Sequence, residues 1–156
     1  MLLGGLHKLA GITANAFIGH KNDFMIQDCI MVSKKLGINF YFNDKFPINS
    51  LYLMRGTLVL EENLLEKYID IFFESYWQLN LDLSDRKIFE KKLNEIGVDI
   101  NKFFKDIENQ AIKDKLKEIT NEAFTKKIFG APSFIYKDKV YWGQDRLDYV
   151  IDDISK

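Results

Sequence analysis

The residues able to do chemistry are few in this chain, and most stand alone. Cys29 is the single cysteine, so no internal disulfide can form. It sits in an apolar run between Met25 and Met31 and reads as a buried, structural thiol. His7 and His20 lack the paired spacing of a metal site, and no acidic or cysteine cluster accompanies them. No Gly-rich phosphate loop, nucleophile elbow or zinc motif is present. Two short segments hold more. Gly130-Ala131-Pro132 stands directly ahead of a β-rich run. A proline there starts an edge strand in the trans form or turns the chain in the cis form, and on these residues alone trans is favoured. Trp142-Gly143-Gln144-Asp145 marks a strand giving way to a helix. Free N–H groups at such a junction take carboxylates, while the Asp145 carboxylate suits an ammonium group. Asp145 also reads as a plain N-cap. Lys21 reads as a solvated surface lysine. Asp28 falls inside a helix among apolar neighbours, where a carboxylate needs a partner.

The elements that must position these residues are mostly helical. Asn22 is the expected cap of a helix over 23–36, with basic Lys34 and Lys35 in its last turn and Gly37 ending it. Residues 38–42 read as extended, and Pro47 precedes a helix over 48–60. Between 62 and 79 the set Leu65, Tyr68, Ile69, Phe72, Phe73, Tyr76 recurs at helical spacing and predicts a core stripe rather than an aromatic ligand box. Asp82 or Ser84 starts the next helix, which ends at Gly97. Asp99 caps another, with Ile100, Phe103, Phe104 and Ile107 on its buried face, and residues 108–127 continue it with a solvated Lys/Glu face. The texture then changes. Residues 133–136 and 140–142 are β-rich around a Lys137-Asp138-Lys139 turn, which predicts one hairpin. Residues 145–154 close as a helix with Leu147, Val150, Ile151 and Ile154 inward. Two strands do not make a stable sheet alone, so either they pack on helices or strands are missing.

Composition narrows the class. Lys plus Arg (22) nearly balances Asp plus Glu (23), which argues against a nucleic-acid binder or a polybasic membrane anchor. No stretch reaches transmembrane length, and Lys8 and His7 interrupt the apolar N-terminus, so no signal peptide is expected. A cytoplasmic protein of one domain, residues 1–156, is the expectation.

Three segments carry a resemblance: Phe129-Gly130-Ala131-Pro132-Ser133-Phe134, Trp142-Gly143-Gln144-Asp145-Arg146-Leu147, and Phe46-Pro47-Ile48-Asn49-Ser50 followed by Met54-Arg55. In order and separation they resemble the 2-hydroxychromene-2-carboxylate isomerases and kappa-class glutathione transferases. The opening Leu2-Leu3-Gly4-Gly5-Leu6 is similar to the segment after those proteins' second strand, and Lys21, Phe24-Met25 and Asp28 are similar to their Lys…Tyr-Met…Asp stretch. The resemblance implies an α/β fold of the DsbA-like thioredoxin type. Residues 40–126 would form a large helical insertion, and 127–156 a C-terminal hairpin and helix. It implies glutathione as cofactor and a small electrophilic, aromatic-derived substrate. It makes Pro132 a cis-proline and turns the N–H and C=O of Ala131 outward, where an extended peptide such as glutathione pairs like an added strand. Gln144 and Asp145 would hold the γ-glutamyl end. Lys21 would face the carboxylate at the other end, with Asn15 taking the place of the family's preceding asparagine at a shorter spacing, and Asp28 joining the same stretch. A homodimer is expected, as relatives commonly dimerise.

One departure matters. Relatives begin with a strand, a turn holding a serine, a helix and a second strand, and that serine faces the glutathione thiol. This chain starts after that unit, so the catalytic residue is expected in a segment upstream of Met1, in a longer protein. The short chain by itself would expose a sheet edge and an apolar face. It would bind glutathione without turnover, as a catalytically dead thioredoxin-like module. A relative of DsbA-type thiol-disulfide oxidoreductases is a further alternative.

Overall fold

The computed structural model describes residues 1–156. The chain forms two compact units, one of residues Met1–Thr13 and Asp114–Lys156, the other of Ala14–Lys113. In order the elements are α1 (Leu3–Ala10), α2 (Gly19–Leu36), α3 (Leu51–Gly56), α4 (Glu62–Trp77), α5 (Arg86–Glu95), α6 (Ile100–Ile107), α7 (Gln110–Thr125), β1 (Ser133–Tyr136), β2 (Lys139–Trp142) and α8 (Leu147–Ile154). No helix is long and apolar enough to cross a membrane.

The Ala14–Lys113 unit is helical around an aromatic core. Tyr68, Phe72 and Tyr76 of α4 meet Phe89 and Leu93 of α5 and Phe103 and Ile107 of α6. Leu93 and Ile107 are fully buried, which stabilises by about 1.5–3 kcal/mol each. The expected α4 stripe is only half right. Tyr68, Phe72 and Tyr76 are buried, but Ile69 and Phe73 lie exposed, because the buried face is centred on Tyr68 and Phe72 and turns those two to its edge.

Local side-chain bonds reset several helix starts. Helix α2 begins at Gly19, and Asn22 is inside it rather than capping it. Gly37 ends it at φ 66°, the left-handed conformation that glycine enters freely. Helix α3 is shorter than expected, because the Asn49 side chain accepts from Leu51 N–H and holds 48–50 outside the helix. Asp85, not Asp82 or Ser84, caps α5, since Asp82 is turned back onto Ser84. Asp99 caps α6 as expected. The expected continuous helix past 108 is broken: Asn109 accepts from Ala111 N–H and opens α7 as a new helix. Cys29, expected to be buried, is half-buried, because α2 as a whole buries little beyond Ser33.

In the other unit, α1 lies on α7, with the Leu2 amide donating to Thr120 Oγ1 at 2.9 Å. Strands β1 and β2 form the one sheet, antiparallel, with Ser133 opposite Trp142 and Tyr136 opposite Lys139. Lys137 and Asp138 both adopt positive φ (45° and 64°), as the tight two-residue hairpin turn requires. Helix α8 packs on this hairpin through Val150, while Leu147, Ile151 and Ile154 are exposed instead of inward. A two-stranded sheet covers only a narrow stripe of the helix. Asp153 fixes the pairing by accepting from Lys139 Nζ (2.6 Å) and from the Tyr141 hydroxyl.

Candidate functional site

The hairpin unit brings two of the sequence-predicted segments together. The Gly143 amide donates to the Pro132 carbonyl at 3.0 Å, so the Ala131–Pro132 corner and the Gly143–Gln144–Asp145 turn are bonded neighbours. The Ala131–Pro132 peptide is cis, as the resemblance implies. Ser133 Oγ returns to the Gly130 carbonyl at 2.8 Å and fixes the turn into β1. Gly130 has to be glycine for a steric reason: a Cβ there would meet Trp142 Nε1 at 2.5 Å. The indole of Trp142 also lies 5.1 Å from the Phe129 ring, so the Trp-Gly segment is anchored on both sides of the cis-proline. Gly143 at φ 104° turns the chain into the short helical turn Gln144–Arg146 that leads α8.

Ala131, Pro132, Gln144 and Asp145 are all exposed on this corner. Asp145 is not an N-cap. No side chain caps α8, and the Asp145 carboxylate is paired with Arg146 Nη1 at 2.8 Å. Both partners are half open to solvent, so the pair is worth little and is exchangeable. The corner therefore offers an exposed backbone edge, a helix start and a carboxylate within one bonded turn. That set suits a short extended peptide carrying an amino-acid head.

The other predicted residues belong to the Ala14–Lys113 unit. Asn15, Lys21 and Asp28 line one shallow groove of about 320 Å³ at the start of α2, together with His20, Phe24 and Met25. Lys21 is exposed, and Asp28, expected to be buried, is half-buried, as the outer face of a helix allows. The Lys21 ammonium suits a carboxylate ligand. Reasoning from the sequence set His20 aside as unpaired, and its place beside Asn15 and Lys21 follows only from the turn over Asn15–Phe17 that leads into α2. The neighbouring Cys29 is a poor nucleophile. Burial pushes its thiol up, and the adjacent Asp28 carboxylate adds to that, so it stays protonated near neutrality.

A second cis peptide, Phe46–Pro47, escaped the sequence reading. The loop before it is pinned by Asn43, which is buried and donates to the carbonyls of Tyr76 (2.9 Å) and Leu81 (3.0 Å) while accepting from Lys45 N–H (2.8 Å). The cluster of Asn43, Asp44 and Pro47 was the available turn signal.

A family model described as "DSBA-like thioredoxin domain" matches residues 2–155. Among curated proteins, 2-hydroxychromene-2-carboxylate isomerase of Sphingobium xenophagum is 22% identical over 85 residues, 54% of this chain and 44% of that protein. The protein of the same name from Pseudomonas putida is 25% identical over 80 residues, 51% of this chain and 39% of its own. The chain thus matches less than half the length of these relatives. A solved structure of selenomethionine-labelled 2-hydroxychromene-2-carboxylate isomerase aligns with a TM-score of 0.85 at 19% identity, covering 99% of this chain and 77% of that one. At that identity the likeness is one of fold.

Proposed function

The chain belongs to the DSBA-like thioredoxin domain family, and from that premise we propose that it binds glutathione and uses it to isomerise an electrophilic, aromatic-derived small molecule. The observation that carries the reading is the exposed corner where Ala131, Pro132, Gln144 and Asp145 meet through the Gly143–Pro132 hydrogen bond. The reaction class follows the name shared by the curated relatives.

The residues of the corner fit the cofactor's chemistry. The Ala131 backbone pairs with an extended peptide as an added strand would. The start of the Gln144–Arg146 turn receives a carboxylate, and the Asp145 carboxylate exchanges Arg146 for an ammonium. When bound, glutathione supplies a thiol whose thiolate is a nucleophile towards an electrophilic carbon. The protein's part is to bind and orient it.

Calorimetric titration with glutathione tests the binding half. We expect saturable binding that Asp145→Ala weakens about tenfold, the cost of one charge-assisted contact. The second half is followed by the absorbance of 2-hydroxychromene-2-carboxylate with and without glutathione. Turnover that requires glutathione supports the full reading. Binding without turnover leaves a glutathione-binding module, and no binding removes the proposal.

A further inference from the structure

Within the Ala14–Lys113 unit, a cavity of about 290 Å³ opens between α3, the turn into α5, and α6. Its floor is apolar, with Leu83 and Phe89 buried beneath it and Leu53 beside them. Its rim is polar, and Arg86 is the one charged side chain in it. The Arg86 guanidinium lies over the Phe104 ring, with Cζ 3.3 Å from the ring centre. Its Nε donates to Glu90 Oε1 at 2.5 Å. Two contacts thus fix the plane of the group, while neither Nη atom has a protein partner and the side chain is 57% exposed. Two more donors of the rim are unspent. The Tyr52 hydroxyl makes no hydrogen bond and is open to solvent. Asn49 uses its side-chain oxygen on Leu51 N–H at 3.1 Å, which leaves its NH2 group free.

From this combination we propose that the cavity binds a small monocarboxylate with a compact apolar body, held by Arg86. The unspent groups of the rim are all donors, so the guest must bring acceptors. The open edge between Nη1 and Nη2 matches the two oxygens of a planar carboxylate, and stacking on Phe104 holds that edge in place before the guest arrives. One guanidinium with no second cation in the wall, and with Glu90 already on its Nε, suits one negative charge and not two. The floor of Leu53, Leu83 and Phe89 takes the apolar body, and the volume, at the small end of ligand pockets, limits it to about one ring. The proposal rests on this cavity alone and not on the glutathione reading.

The test is a titration of the full chain with benzoate and, separately, with benzyl alcohol, followed by the methyl resonances of Leu53 and Leu83. The expected result is saturable shifts of both residues with benzoate, and binding of the uncharged alcohol weaker by about tenfold or more. Arg86→Gln should weaken benzoate by about tenfold and leave the alcohol unchanged, which separates recognition of the charge from packing on the floor. The exposed Arg86–Glu90 pair contributes little to stability, so this variant should melt with the parent chain. Should it fail to fold, Arg86→Lys replaces it, keeping the charge but not the two-pronged edge, with an expected loss of about threefold or more for benzoate. Shifts that do not saturate, equal affinity for the two probes, a folded Arg86 variant that binds benzoate as the parent does, or saturable shifts elsewhere with Leu53 and Leu83 unmoved would overturn the proposal.

Discussion

At the scale of single residues, two buried tyrosines on the same face of α4 behave oppositely. Tyr68 donates to the Leu53 carbonyl at 3.1 Å, while the Tyr76 hydroxyl has no partner. Tyr68→Phe should therefore cost about 1 kcal/mol, and Tyr76→Phe should be neutral or stabilising, which paired thermal melts will separate. Burial, followed by the nearby Asp82 carboxylate, pushes the Tyr76 phenol up to about 12 from its ordinary 10.0. A folded-state value above the unfolded one contributes stability that is intact below pH 10 and is lost as pH rises towards 12. Urea melts between those limits should show a falling midpoint in the parent chain and a shallower fall in Tyr76→Phe. Asp153 has the opposite sign. Lys139, Tyr141 and Lys156 hold its carboxylate well below the usual range, so its contribution is present at neutral pH and is lost on acidification. Asp153→Asn should flatten the acid limb of the stability profile of the parent chain.

At the scale of elements, short side-chain-to-backbone bonds decide where helices and loops stop. Asn43 has the most to lose. Its amide satisfies the Tyr76 and Leu81 carbonyls at the end of α4, and its own carbonyl holds Lys45 N–H. Asn43→Ala removes the donor from the buried Tyr76 bond and the partly buried Leu81 bond, while Lys45 N–H, on an exposed residue, can turn to water, and we expect a loss of about 1–3 kcal/mol, measured by urea unfolding. Gly56 is the steric counterpart. A Cβ there would overlap the Tyr68 hydroxyl and approach the Phe103 ring at 2.8 Å. Gly56→Ala should thus destabilise by about 1–3 kcal/mol, although alanine is the better helix former. Gly4, with open space around its Cβ position, is the control that should not.

At the scale of the whole molecule, charge and exposed apolar surface act together. The chain is close to neutral, with a pI near 6.1, and it leaves Phe17, Phe24, Phe73 and Tyr149 at least 60% exposed. Self-association should peak near pH 6 and decline by pH 8 as net charge grows, which light scattering across that range will read. Much of this architecture is legible in the amino-acid order. The DsbA-like fold was carried by three short motifs, and helix α2's end, the Asp99 cap and the hairpin were readable because glycine, aspartate and β-branched runs act within a few residues. The cis corner at Pro132 was carried only by the resemblance of its two contiguous motifs, since the residues by themselves favour a trans proline. What the sequence left undecided depends on contacts between distant residues. Periodicity marks which α4 residues are apolar, but the arrangement of α5 and α6 sets the angle at which α4 is covered, and so it buries Tyr68 and exposes Phe73. Asn43 is an ordinary turn residue until Tyr76 and Leu81 come within reach. Likewise, α8 reads as an inward-facing helix, yet a two-stranded sheet is too narrow to cover it beyond Val150. Local propensity and motif order were determined by the sequence alone, whereas burial and hydrogen-bond satisfaction are properties of pairs that only the tertiary structure brings together.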